Sequence, residues 1–166
     1  MKKFLFLLFV LVLFGACGNK YTKVVERYGG LMCNEHYMND KLEGKSSCMY
    51  ENGKLAFIGT YKNGKPEGIF DQFDDNGNIM LRSEYKEGKL NGTRYGWSAY
   101  GNKLFKQEYK DHKLKRWIVW YNDGSKNFDC EYEGFRRHGM CIEWNIYGDK
   151  TSEEIYKDGK LVRKIL

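Results

Sequence analysis

The chain has 166 residues and a formal net charge of +6, with 16% aromatic residues and a single proline. That aromatic content excludes a disordered polymer, and charges of both signs interspersed along the chain exclude the dense basic footprint of a nucleic-acid binder. The length is enough for one domain.

Met1-Lys2-Lys3 leads into an apolar run from Phe4 to Phe14, which closes on Gly15-Ala16-Cys17. A positive start, a short apolar stretch and a small-residue cleavage site make residues 1–16 an export signal, expected as a helix too short to span a bilayer. The cysteine after Gly-Ala resembles the lipobox of bacterial lipoproteins, although Phe14 stands where that motif usually has leucine. The resemblance implies diacylglycerol on Cys17 and a lipid-anchored place in the bacterial cell envelope, on its periplasmic or surface side. Gly18, where an inner-membrane retention aspartate would sit, points to the outer membrane if the host is Gram-negative. Plain cleavage after Ala16 and an uncleaved anchor are the alternatives. Residues 17–32 then read as the lipidated cysteine and a polar tether. Removing the signal takes away Lys2 and Lys3, so the remainder carries 26 − 22 = +4.

From there the chain repeats. Tyr37, Tyr61, Tyr85, Tyr109, Tyr132 and Tyr156 are spaced by 24, 24, 24, 23 and 24 residues. Gly44, Gly68, Gly92, Arg116, Gly139 and Arg163 each follow one of these tyrosines by seven. A fixed period of this size is the signature of a stacked array. Each unit holds two turn signals, such as Asn63-Gly64 and Asn76-Gly77, read as type I′ turns because both central positions tolerate positive φ. Strands of six or seven residues remain between turns, and no window shows a 3.6-residue period. The fold expected over residues 33–166 is all-β, an elongated antiparallel meander of about six 24-residue two-hairpin units.

Tyr61-Lys-Asn-Gly-Lys-Pro-Glu-Gly68 and Tyr85-Lys-Glu-Gly-Lys-Leu-Asn-Gly92 resemble the bacterial variant of the MORN (membrane occupation and recognition nexus) repeat, with Tyr37-Met-Asn-Asp-Lys-Leu-Glu-Gly44 a looser copy. Later units drift, with Arg116 and Arg163 in the glycine slot. The resemblance implies a repeat class more than an activity. Many members carry a label as antitoxins, so an antitoxin or immunity protein neutralising a toxin is the alternative to a binding scaffold.

If the hairpins fold about centres at 40.5, 64.5 and 88.5, opposed residues have constant sums, and Tyr61 faces Gly68. A row of tyrosine and glycine then crosses the sheet, with rings lying over bare backbone. The same arithmetic lines up Met49, Ala56, Phe73, Met80, Trp97 and Leu104, continued by Trp120 and Trp144, as an apolar stripe read as core. The two rows point to opposite faces, so the sheet must curl, acquire a cover or bind something. The single 23-residue step places a missing residue between Arg116 and Trp120 and predicts a kink there.

With Cys17 lipidated, four cysteines remain, and they allow three connectivities. Cys33 and Cys48 are symmetric about 40.5, and Cys130 and Cys141 about 135.5, so each pair should face across its own hairpin. The expected disulfides are Cys33–Cys48 and Cys130–Cys141, with four reduced thiols as the alternative.

No Cys-x-x-Cys, histidine cluster, phosphate loop or nucleophile elbow is present, so no metal, cofactor or catalytic residue is expected. The function read from the sequence is a non-catalytic, membrane-anchored scaffold for a protein or an envelope polymer, with no nucleic acid. The candidate partner-binding residues are Tyr95, Trp97, Tyr100, Trp117, Trp120, Tyr121, Trp144 and Tyr147, because tyrosine and tryptophan dominate binding hot spots.

Overall fold

The computed structural model describes residues 11–13, 18–27 and 29–166. Fifteen strands form one antiparallel sheet, with β4 beside β3 and the others following one another in sequence order. They are β1 (Leu11–Leu13), β2 (Lys20–Arg27), β3 (Leu31–Met38), β4 (Lys41–Leu42), β5 (Gly44–Met49), β6 (Leu55–Lys62), β7 (Lys65–Phe73) and β8 (Ile79–Lys86). The run continues through β9 (Lys89–Trp97), β10 (Lys103–Lys110), β11 (Lys113–Trp120), β12 (Lys126–Glu133), β13 (Arg136–Trp144), β14 (Lys150–Lys157) and β15 (Lys160–Lys164). This is the expected all-β meander, and the described residues contain no helix.

The signal helix and Cys17 fall outside the described residues, except that Leu11–Leu13 are a strand paired with Lys20–Thr22. Where a tether was expected, Lys20–Arg27 pair residue for residue with β3. An uncovered β3 would leave a row of backbone donors and acceptors unpaired, and even a polar segment satisfies them. Tyr21 extends the aromatic rhythm by stacking on Tyr37, ring centroids 5.1 Å apart.

The two turns of each unit are of different kinds. Along one long edge, the narrow-turn edge, two residues turn the chain, with positive φ at both Asn63 and Gly64, Glu87 and Gly88, Asp111 and His112, and Asp158 and Gly159. This is the expected type I′ geometry. At Gly134-Phe135 only the glycine is positive, as a type II′ turn requires. On the opposite, wide-turn edge, Gly77 alone is positive, and its N–H donates to the Asp74 carbonyl at 3.0 Å. The Asn76-Gly77 reading is corrected accordingly. The Asp74 carboxylate accepts from the N–H groups of Asn76 and Asn78 at 3.0 and 2.8 Å, which stabilises a type I turn that closes on a left-handed glycine.

Narrow turns also correct the register. Lys62 pairs with Lys65 and Tyr61 with Pro66, not Gly68, while three positions further on Ile58 pairs with Asp71 as the arithmetic required. The strand after the turn takes up two extra residues around Gly68, at φ 78°. The same two-residue bulge surrounds Gly44, Gly92 and Gly139, all at positive φ. Where arginine replaces glycine only one residue is taken up. Tyr109 pairs with Leu114 and Glu108 with Arg116, and likewise Tyr156 pairs with Leu161 and Ile155 with Arg163. The missing residue of the 23-residue step is thus lost from the bulge before Arg116, and the β11–β12 register shifts again between Val119 and Trp120.

The repeated glycines therefore serve the backbone, since nothing lies within 4 Å of where a Cβ on Gly44 or Gly68 would stand. Ring-over-glycine packing occurs elsewhere, with Phe70 over Gly59 and Phe105 over Gly96. Both belong to the tyrosine face of the sheet, which also carries Cys33, Cys48, Phe57, Cys130 and Cys141. Phe70 is its hub, 6% exposed, with Tyr61 and Tyr85 edge-on at 5.3 and 5.1 Å. The stripe expected as core lies on the other face, where Met49 and Met80 are exposed and Ala56 is buried. Both expected disulfides are formed, Cys33–Cys48 and Cys130–Cys141, with Cα atoms 3.9 and 4.0 Å apart.

Candidate docking face

The second face, here the tryptophan face, carries an unbroken row of opposed residues: Ile58, Asp71, Arg82, Tyr95, Lys106, Ile118, Asp129 and Ile142. Alternation along β9, β11 and β13 sets Trp97, Trp120 and Trp144 two residues beyond this row, on the same side. Tyr95 and Trp97 meet with ring centroids 5.7 Å apart. The Lys103 ammonium lies 5.2 Å from the Tyr95 ring centre and 5.4 Å from that of Trp120, and Lys126 lies 5.4 Å from Trp144. The result is a half-buried aromatic strip interleaved with lysines, each such contact contributing about 0.5–1 kcal/mol where exposed.

Ion pairs brace the strip. Arg82 donates to both oxygens of Asp71 at 2.7 Å, and Arg116 to those of Asp129 at 2.8 and 2.9 Å. Lys126 adds a third donor to Asp129 at 2.8 Å. Burial pushes the Asp129 carboxyl up, but Arg116 and Lys126 outweigh it and hold the group below the usual carboxylate range. Lys106 donates to Glu108, 2.7 Å away, and that bond raises its ammonium above the ordinary lysine value. Beside Trp120 a surface cavity of about 260 Å³ is lined by Asn102, Lys103, Asn122, Asp123 and Gly124.

Of the eight aromatic candidates, Tyr95, Trp97, Trp120 and Trp144 come together on this face. Trp117 does not: the single-residue bulge before Arg116 turns it onto the tyrosine face, packed against Phe128 and Tyr132 at 5.9 and 6.5 Å, with its buried Nε1 unpaired among protein groups. Tyr121 clamps neighbouring turns by donating its hydroxyl to the Trp144 carbonyl at 2.8 Å, as Tyr50 does to the Phe73 carbonyl. Tyr100 and Tyr147 occupy wide-turn tips and are 92% and 84% exposed. Missed in the sequence were Lys103, Lys126, Arg116 and Asp129, whose only signal is that Lys103 and Lys126 each follow a wide turn.

Ser98 and His112 lie in turns on opposite long edges of the sheet. Among the described residues no group of His, Cys, Asp or Glu side chains gathers as a metal-ligand set.

Comparison with curated proteins gives no match. The family model described as MORN repeat variant matches residues 42–63, which hold β5, β6, the bulge glycine Gly44 and the Asn63 turn residue. Residues 42–63 are thus similar to one MORN-variant repeat.

Proposed function

We propose that this protein is a non-catalytic scaffold, exported and held in the bacterial envelope by lipid on Cys17, whose tryptophan face captures a protein or an envelope polymer. The observation that supports this reading is the convergence of Tyr95, Trp97, Trp120 and Trp144 on one face of a sheet that has no second layer against it among the described residues. Large rigid aromatics give much contact area for little conformational entropy, and lysine stems between them keep the strip soluble when unoccupied. The export pattern of residues 1–17 supports the location. The test is affinity capture from the native envelope followed by mass spectrometry, which also reports the mass of the N-terminus. Trp120→Ala with Trp144→Ala should abolish capture while the circular dichroism spectrum is unchanged. Equal capture by the double variant would remove the face from the function.

A further inference from the structure

The modest net charge hides a division between the two long edges. The four-residue narrow turns at 38–41, 62–65, 86–89, 110–113, 133–136 and 157–160 hold ten Lys or Arg and five Asp or Glu, a net +5. The wide turns, counted likewise with their closing strand pairs at 49–55, 73–79, 97–103, 120–126 and 144–150, hold four Lys and five Asp or Glu, a net −1. Four narrow hairpins set lysine directly opposite lysine: Lys62 with Lys65, Lys86 with Lys89, Lys110 with Lys113, and Lys157 with Lys160. All eight side chains are exposed, and none forms an ion pair with another described residue.

Opposed like charges destabilise a hairpin, so the fold gains nothing from this pattern. The turns also hold it in place. Each narrow turn donates an N–H to the hairpin before it, as Gly64 does to the Leu42 carbonyl and Gly88 to the Pro66 carbonyl, at 2.8 and 2.9 Å. Turn glycines thereby rest on the preceding cationic stems: a Cβ on Gly88 would stand 3.4 Å from that of Lys65, and one on Gly159 3.7 Å from that of Arg136. Glu43 and Glu67 aim their carboxylates into the next turn's backbone, at the N–H groups of Asn63 and Glu87, both at 2.7 Å. With strands about 4.8 Å apart, the first three lysine pairs recur about every 10 Å, and Glu133 opposite Arg136 separates them from Lys157 and Lys160.

We propose that the narrow-turn edge is a docking strip for a linear, flexible polyanion of the polyphosphate or phosphodiester kind, laid along the sheet from hairpin to hairpin. It uses groups other than those of the tryptophan face and does not rest on that face's role. The test is titration of the full chain with inorganic polyphosphate across a salt series. Binding should weaken steeply with salt, and Lys62→Gln/Lys86→Gln/Lys110→Gln together should cost at least about 10-fold in affinity and lower the salt slope by about 2. The same triple variant should melt no lower than the wild type, because it relieves three like-charge pairs. Lys54→Gln/Lys150→Gln on the wide-turn edge, and Trp120→Ala/Trp144→Ala, should bind polyphosphate as the wild type does. Unchanged binding by the triple variant, an equal loss in the wide-edge control, or tighter binding of duplex DNA than of polyphosphate would overturn the proposal. So would salt-sensitive self-association, narrow edge to wide edge, with no uptake of polyphosphate.

Discussion

Phe70 and Gly59 illustrate how one missing Cβ organises a face. Phe70 occupies the space a Cβ on Gly59 would need, and in that position it touches Tyr61, Tyr85 and Phe57 at once. Gly59→Ala should therefore cost about 1–3 kcal/mol by overpacking, seen as a lower denaturant midpoint, whereas Ala at open Gly148 should leave the aromatic packing intact. Asp129 supplies a pH test on the other face. Its carboxyl titrates below the usual range in the folded chain, so it contributes stability above the unfolded value, lost as pH falls through the folded one. Asp129→Asn should flatten that part of the acid-denaturation curve and leave the Arg116 guanidinium without its bidentate partner. Tyr37 tests the opposite limb, because its hydrogen bond to Glu35 pushes its hydroxyl up to about 12. Its stabilisation is complete below the ordinary tyrosine value and fades as pH rises through about 12, visible in the ultraviolet titration of tyrosine.

At the scale of an element, the bulge is where the pattern becomes geometry. Gly92 combines a φ of 116° with a Glu84 carboxylate that accepts from the Thr93 N–H at 3.1 Å and fills the space beside it. Gly92→Ala should lose about 1–3 kcal/mol, more than Ala at Gly101, which also has positive φ but open surroundings. Comparing the two separates strain from crowding. Much of this level was legible in the sequence: the tyrosine beat, two turns per unit, and Cys33 opposite Cys48. The bulges were not, because sequence symmetry about a hairpin assumes equal residue numbers on both strands. Tyr61 therefore landed beside Pro66, while pairs beyond the bulge, such as Ile58 with Asp71, kept the expected sum. Asn63-Gly64 and Asn76-Gly77 likewise look alike as dipeptides, but the second sits in a five-residue turn whose N–H groups the Asp74 carboxylate accepts.

For the whole molecule, stability is spread along neighbouring hairpins, and the disulfides tie β3 to β5 and β12 to β13. Cys33→Ser with Cys48→Ser should cost about 2–4 kcal/mol. Hydrogen exchange should then rise first in β2 to β5, with the β7 to β10 amides still protected; uniform loss of protection would mean that the array unfolds as one unit. What the sequence determined by itself is the local part of this design: a 24-residue period, turns at their positions, strands between them and cysteines paired across single hairpins. These follow from contacts between residues close in the chain, where φ preference and spacing suffice. The tertiary structure alone decided which face packs, where Trp117 points, and how lysines from four hairpins line one edge. Such outcomes depend on how many residues each bulge absorbs, and the backbone settles that only when every strand has found its neighbour.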